Sequence, residues 1–382
     1  MKTDQIKALY RSDFSAFLRF AYGELHLNQP LADTWHIDVL ADHLERVARG
    51  EITRLIINMP PRSLKSLAAS IALPVWMHGR NPALKIMSIA GSRELAGDFE
   101  RGRRELMTAP RFRSLYPHLK PEDRGRNLYL PHGGRQISAV VGGKLVGRGA
   151  DLIVIDDPIG PAKVHDEPSR RAVNKWFDAE VIQRLNDKTK GAVIIVMQRL
   201  HHEDLSAHLL RDKRWVHLNL PAMATEDEVW KLSRGQILTR EKRGALAPTI
   251  DDSEALFTLL LQLGAYNFAA QYQQKPYERM EDDACRGGMF GLPDDEYGFP
   301  AFSVRRVHEI FIMAYEIWGF GAFHPAMPMR RMSEEEWIRY GVWTTDYQRR
   351  LLENGDAKWG PPENEAALLA EYYAWPGTYV AE

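Results

Sequence analysis

Residues 54–66 read RLIINMPPRSLKS, and the run continues as SLAASIALPVWMHG over 66–79. RLIINM at 54–59 is short and apolar and reads as a buried strand, while the segment after Ser66 is apolar and helix-prone as far as Pro74. The order is strand, loop, helix, which is the placement a phosphate-binding loop needs. Backbone N–H groups at a helix N-terminus face an anion there, and the helix dipole favours it. In that placement Lys65 reaches β- and γ-phosphates and the Ser66 hydroxyl ligates Mg2+. The usual pattern is G-x-x-x-x-G-K-[ST], but Met59 and Leu64 occupy the two glycine positions. Glycine supplies positive φ and close backbone approach, so this loop is expected to use a different conformation or to bind less well. Pro60 and Pro61 stiffen the approach and donate no N–H, and Arg62 adds positive charge. Alone, the segment reads equally as an ordinary helix start bearing a Lys-Ser pair.

The second informative stretch is DLIVIDDP at 151–158, an apolar strand ending in Asp156 and Asp157. Paired acids at a strand end suit nucleotide hydrolysis: one carboxylate holds Mg2+, directly or through water, and the next positions the attacking water. Their strand is expected beside the phosphate loop, at the carboxyl edge where such sheets bind ligands. The plain alternative is two solvated turn acids.

Around these stretches, KIMSIA at 85–90 and AVIIVM at 192–197 read as further buried strands. Helical spacing runs over 13–48, 93–107, 168–187, 203–210 and 253–274. Alternating strands and helices predict an α/β fold with a mostly parallel P-loop NTPase-type sheet, helices on both faces and a short irregular C-terminal region. The expected layout is a helical lead-in over 1–50, the core over 51–220, a helical extension over 221–280 and a distinct C-terminal region over 281–382.

Composition is that of an ordinary globular chain: 45% hydrophobic and 26% charged. The single cysteine, Cys285, excludes a disulfide framework and a cysteine metal cluster, which suits a reducing cytoplasm. No signal-peptide pattern opens the chain and no run has the length of a membrane span. Net charge is −1 but uneven: residues 281–382 hold 9 Lys and Arg against 18 Asp and Glu, leaving 1–280 at +8. A mildly basic body suits a polyanion partner. Arg93, Arg101, Arg103, Arg104, Arg111 and Arg113 are candidates to grip a phosphate backbone, or form a solvated helix balanced by Glu94, Glu100 and Glu105.

In order, TWH at 34–36, INMPPRSLKS at 57–66, GGKLVGRGAD at 142–151, LIVIDDP at 152–158, VMQRLHHEDLSAHLL at 196–210 and FAAQYQQKP at 268–276 resemble the ATPase part of tailed-phage terminase large subunits. These enzymes drive DNA into a capsid. The resemblance covers roughly residues 13–278, and PPRSLKS is similar to a form of that family's phosphate loop. It implies ATP and Mg2+ as ligands, with Pro61, Arg62, Ser63, Leu64, Lys65 and Ser66 around the phosphates. Ser66 and Asp156 would hold the metal and Asp157 would be the catalytic acid. Arg148 would supply a guanidinium to a γ-phosphate, of the same or a neighbouring subunit, and Gln198 would sense that phosphate. Trp35 and His36 would contact the base. The plainer readings are a surface-loop Arg148, a helix-capping Gln198, a core Trp35 and solvated or capping histidines at 201 and 202, with no metal site proposed for that pair.

The same resemblance implies double-stranded DNA, a portal protein and a small terminase subunit as partners, a ring-forming homo-oligomer on the portal, no membrane, and the cytoplasm of a bacterial host. The family's second domain, an RNase H-like nuclease, is not visible in the last hundred residues. Asp282, Asp283, Asp294, Asp295 and Glu296 end no apolar strand, and FIMAY at 311–315 followed by Glu316 is the best remaining candidate. MSEEEWIRYGVW reads as a helix from Ser333. Two other functions stay open: a prophage remnant that binds nucleotide or partners without turnover, and a two-motor helicase, which would need a second sheet domain after 220.

Overall fold

The computed structural model describes residues 3–277, except 28, 144 and 146, together with 323–324 and 327–331. Three helices lead in: α1 (Thr3–Ser12), α2 (Phe14–Leu25) and α3 (His36–Ala48). The single helical stretch expected over 13–48 is therefore two helices, interrupted around Pro30, which cannot continue a helical ladder. Asp13 starts α2 by accepting the Ala16 N–H at 2.8 Å. Phe14, Phe17, Leu18 and Ala21 then form its buried stripe. The polar α1 falls within the helical lead-in expected over 1–50 and buries no residue of its own. It is held by the Trp76 indole donating to the Tyr10 carbonyl at 3.0 Å and Arg11 donating to the Leu115 carbonyl at 2.9 Å.

Next come β1 (Arg54–Asn58), a π-helical turn at Leu67–Ala72 and α4 (Leu73–Arg80). They are followed by β2 (Lys85–Ala90), α5 (Arg93–Thr108), α6 (Pro110–Leu115), β3 (Glu122–Arg124), β4 (Asn127–Tyr129) and β5 (Arg135–Val140). Then come β6 (Leu152–Asp156), α7 (Pro161–Val164), α8 (Glu167–Trp176), β7 (Ala192–Met197), α9 (Leu205–Leu209) and β8 (Val216–Asn219). The helix expected over 168–187 stops at Trp176 and passes into a π turn at Phe177–Val181 and a 3-10 turn at Ile182–Arg184.

The fold is α/β. Eight strands form one sheet in the order β3-β4-β5-β2-β6-β7-β1-β8, with all pairs from β5 to β8 parallel and β3 and β4 antiparallel at one edge. Strand alternation gives the two faces different chemistry. One face is largely apolar: Ile56, Met87, Ile89, Ile137, Ile153, Ile155, Val193 and Ile195 pack with Trp176, Phe177, Val181, Leu205, Leu209 and Trp215, and the buried Asn58 is a polar exception at its edge. On the other, Ala90 packs with Ile71, Ala96 and Phe99, and the buried Ser88, Gln136, Ser138 and Asp156 occupy alternate positions. These polar groups need internal partners. Gln136 donates to Ser88 Oγ at 3.0 Å and accepts from His78 Nε2 at 3.3 Å. The buried Arg103 donates to Ser138 Oγ at 2.8 Å.

Burial pushes the His78 imidazole down to about 3, with the Arg103 charge adding to the effect. An unfolded histidine titrates near its ordinary value of about 6.5. The neutral ring therefore contributes stability that is complete above about pH 6.5 and is lost as pH falls through about 3. Wild-type protein is expected to lose about 2 kcal/mol between about pH 7 and 5 on this account, roughly 4–8 °C in Tm. His78→Gln removes that increment of acid sensitivity. Equal Tm slopes for both proteins over this range would refute it.

The first compact unit comprises residues up to Ala222, Glu228–Arg240 and Ala270–Pro276. It includes an antiparallel hairpin, β9 (Glu228–Lys231) and β10 (Ile237–Arg240), that sequence patterning did not reveal; neither did it reveal β8. The described parts of the second unit are Met223–Asp227, Glu241–Ala269 and Tyr277, with the short pair β11 (Phe323–His324) and β12 (Met327–Arg331). Helix α10 (Ser253–Gln271), expected as one helix over 253–274, breaks at Gly264, whose φ is +76°. The C-terminal acids, the 311–315 strand and the helix from Ser333 lie outside the described residues. Among the described residues no helix is long and apolar enough to cross a membrane.

Candidate nucleotide site

Strand register brings the chemistry to one edge. Asn58 at the end of β1 pairs with Met197 of β7, and Asp156 at the end of β6 pairs with Val196 of β7 and Ala90 of β2. The acid-bearing strand is thus not directly beside the loop strand, as expected, but one strand away, with β7 inserted between them. That insertion carries Gln198 to the space between loop and acids. The loop still bridges the gap: Ser66 Oγ donates to Asp156 Oδ1 at 3.0 Å.

The missing glycines have a specific structural answer. Arg62 and Leu64 hold φ of +59° and +63°. Leu64 thus adopts, at the second glycine position, the left-handed backbone that glycine ordinarily supplies. The expectation of a different conformation is corrected at this residue. A side chain there costs roughly 1–2 kcal/mol, and such strain persists only where surrounding contacts enforce it. Ser63 Oγ donates to the Pro60 carbonyl at 2.7 Å, as does Lys65 Nζ at 3.2 Å, and Met59 is fully buried. Leu64→Gly is expected to retain nucleotide binding and to raise Tm slightly. Leu64→Val, β-branched at positive φ, should lose stability and binding together. The reverse ranking in a melting and binding series would show that Leu64 is not strained.

Asp156 is 1% exposed, and its carboxyl is pushed up to about 7, first by burial and then by the neighbouring Asp157 charge. Ser70, Lys65 and Ser66 act in the opposite direction. Burial also raises Asp157, against the pull of Lys65 and a hydrogen bond from the Gln198 backbone. Asp157 has φ of +43°, and its N–H donates to the Val196 carbonyl at 2.8 Å. Gly91 makes this turn possible, since a Cβ there would lie 2.0 Å from the Asp157 carbonyl oxygen. The buried Asp156 and half-buried Asp157, with Lys65 acting on both, are short of positive charge. The hard oxygen donors of Asp156, Asp157 and Ser66 fit a divalent cation such as Mg2+.

The other expected residues fall as follows. Arg148 is half-buried between Gly147, at φ +76°, and Gly149, which closes on Asn186. Its side chain makes no hydrogen bond or ion pair among the described residues. Gln198 is half-buried and meets Asp157 through its backbone. Trp35 and His36 sit at the start of α3. The buried His36 ring pairs with Thr34 Oγ1 at 2.7 Å. The Trp35 ring lies 5.2 Å from the Arg240 guanidinium, which Glu228 holds at 2.6 Å. Of the arginine set, Arg103 is buried and unavailable to a partner. Arg101 and Arg104 of α5 pair with Asp98 and, at 2.7 Å, with Asp123, and Arg111 of α6 pairs with Glu24 at 2.7 Å.

His201 is buried rather than solvated, and Asp204, not a histidine, caps α9 by accepting the Ala207 N–H at 2.9 Å. His201, His202 and Glu203 gather their donor atoms within 4.8 Å. Even so, the two rings stack at 4.2 Å, so their in-plane lone pairs do not converge, and Arg170 already pairs with Glu203 at 3.1 Å. That set does not suit a cation.

Sequence reading missed Ser70, Asn58 and Gly91. Asn58 is fully buried, donating to the Met197 carbonyl and Ser206 Oγ, both at 3.0 Å, and accepting from His217 at 2.8 Å. It ties β1, β7, α9 and β8 together at the site edge. Its signal was a polar side chain closing an apolar strand.

No protein-family model and no curated protein matches the chain. Its structural neighbours are phage large terminases. The large terminase of bacteriophage HK97 is 16% identical, with 51% of this chain and 41% of that one covered, at a TM-score of 0.34. A Thermus phage P74-26 large terminase ATPase domain is 12% identical over 67% of this chain and 98% of that one, at 0.41. The large terminase of a thermophilic bacteriophage, solved in complex with ADP, is 10% identical over 47% and 44%, at 0.31. The chain spans about two fifths of the HK97 protein.

Proposed function

We propose that this chain is the Mg2+-dependent ATPase subunit of a phage or prophage DNA-packaging motor. The observation that carries the ATPase reading is the meeting of Ser66 with Asp156 beneath a strained loop that buries Lys65. The order of motifs over residues 34–276 supports the packaging assignment. In this reading Lys65 and the N–H groups of Arg62, Ser63, Leu64, Lys65 and Ser66 bind the phosphates of ATP, and Arg62 adds charge at the loop's exposed side. Ser66 and Asp156 hold Mg2+. When bound, the ion neutralises phosphate charge and orients the β- and γ-oxygens. Asp157, held by the Gln198 N–H, orients the attacking water and takes its proton. The Gln198 side chain reads the γ-phosphate, and Arg148 offers its guanidinium to phosphate in its own or a neighbouring subunit, stabilising charge that develops during transfer.

Double-stranded DNA, a portal ring, a small terminase subunit and further copies of this chain are the proposed partners, in a bacterial host cytoplasm. The test is phosphate release from ATP by the purified chain, with and without linear double-stranded DNA. DNA-stimulated turnover is the expected result. Turnover indifferent to DNA would overturn the packaging assignment. Nucleotide binding without turnover, alone and with portal added, would favour the remnant reading.

A further inference from the structure

Ser70 lies four residues before Pro74. Proline has no N–H, so the carbonyl four residues earlier in a helix loses its partner. In the π-helical turn Leu67–Ala72 the Leu73 N–H reaches the Ala68 carbonyl, five residues back, so the Ser70 carbonyl lies beside Pro74 where the ladder changes register. Arg103, fully buried on α5, donates Nη1 to the Ser70 carbonyl at 2.7 Å. Its other terminal nitrogen is anchored on Ser138 of β5 at 2.8 Å. The Ser70 backbone is therefore held from outside its own helix. Its hydroxyl, one turn beyond Ser66 and on the same helical face, donates to Asp156 Oδ2 at 2.5 Å. Ser66 takes Oδ1 at 3.0 Å. The two serines grip one oxygen each of the same buried carboxylate.

We propose that Ser70, fixed by Arg103, is a positioning residue for the metal-holding carboxylate, setting the plane in which Asp156 presents its oxygens to Mg2+. This rests on the ATPase reading above. Ser66 then has a freedom that Ser70 lacks: its hydroxyl turns to the ion while Ser70 keeps Asp156 from rotating. Hydrogen bonds behind a metal ligand typically account for 10–100-fold in metal affinity.

The test uses Ser70→Thr and Ser70→Val in the full chain. The two replacements have nearly the same shape and differ in the hydroxyl, so packing disturbance is common to both. Binding of a fluorescent N-methylanthraniloyl ADP is measured in EDTA and over a MgCl2 titration. Wild type and Ser70→Thr are expected to show the same Mg2+-dependent tightening. Ser70→Val should need about tenfold more Mg2+ for it, with unchanged affinity in EDTA. Equal Mg2+ midpoints for Thr and Val would overturn the proposal, as would a loss in EDTA as large as that in Mg2+, the mark of a merely structural effect. Failure of wild type to bind the nucleotide at all would instead sink the ATPase reading.

Discussion

Lys65→Ala is expected to lower ATP turnover by at least about 100-fold, the usual consequence of deleting a preorganised charge that faces a reacting phosphate. Lys65 is 5% exposed and its ammonium donates to the Pro60 carbonyl at 3.2 Å, so it is held in place before any ligand arrives. It is also the cation that moderates both acids. Its removal takes away the phosphate contact and leaves the acids less compensated. The check is a phosphate-release assay beside circular dichroism. A folded Lys65→Ala protein with wild-type turnover would show that hydrolysis occurs elsewhere.

Asp156→Asn is expected to abolish turnover and yet stabilise the metal-free fold. The carboxyl sits at about 7 in the folded chain, against an ordinary value of about 3.9 unfolded. The folded state therefore binds the proton more tightly, and stability falls as pH rises from about 4 through about 7. Asparagine carries no charge at any pH and can satisfy Ser66 and Ser70, whose hydroxyls rotate to donate or accept. The variant's advantage should be small near pH 4 and largest near pH 8, on the order of 4 kcal/mol, or about 8–16 °C in Tm. Turnover should fall at least about 100-fold. Melting curves in EDTA across this range check it, and a less stable variant near pH 8 would mean that the acid is not strained by burial. The opposed signs identify a residue kept for chemistry at a cost in stability.

Much of this arrangement was legible because the physics that forms it is local. Strands β1, β2, β6 and β7 are apolar runs that end sharply, and each appeared within a residue or two of its expected place. Lys65, Ser66, Asp156 and Asp157 were legible because each follows such a strand. What was not legible depends on partners distant in sequence. Strand β8 carries His217, which reads as polar until Asn58 accepts its hydrogen bond. The β9–β10 hairpin alternates weakly and keeps Val229 and Ile237 exposed, so no hydrophobic period marks it. Strand order is a non-local property, and it placed β7 between loop and acids where adjacency was expected. Ser70 is one polar residue in an apolar helical stretch, and its bonds to Arg103 and Asp156, both distant in sequence, are what give it a direction.

The most direct test of the nucleotide site is calorimetric titration of the full chain with a non-hydrolysable ATP analogue, with and without Mg2+, for wild type and Lys65→Ala. Saturable binding at one site per chain, strengthened by Mg2+ and lost in Lys65→Ala, is the predicted result. Absence of binding by folded wild-type protein, or binding unaffected by Lys65→Ala, would contradict it.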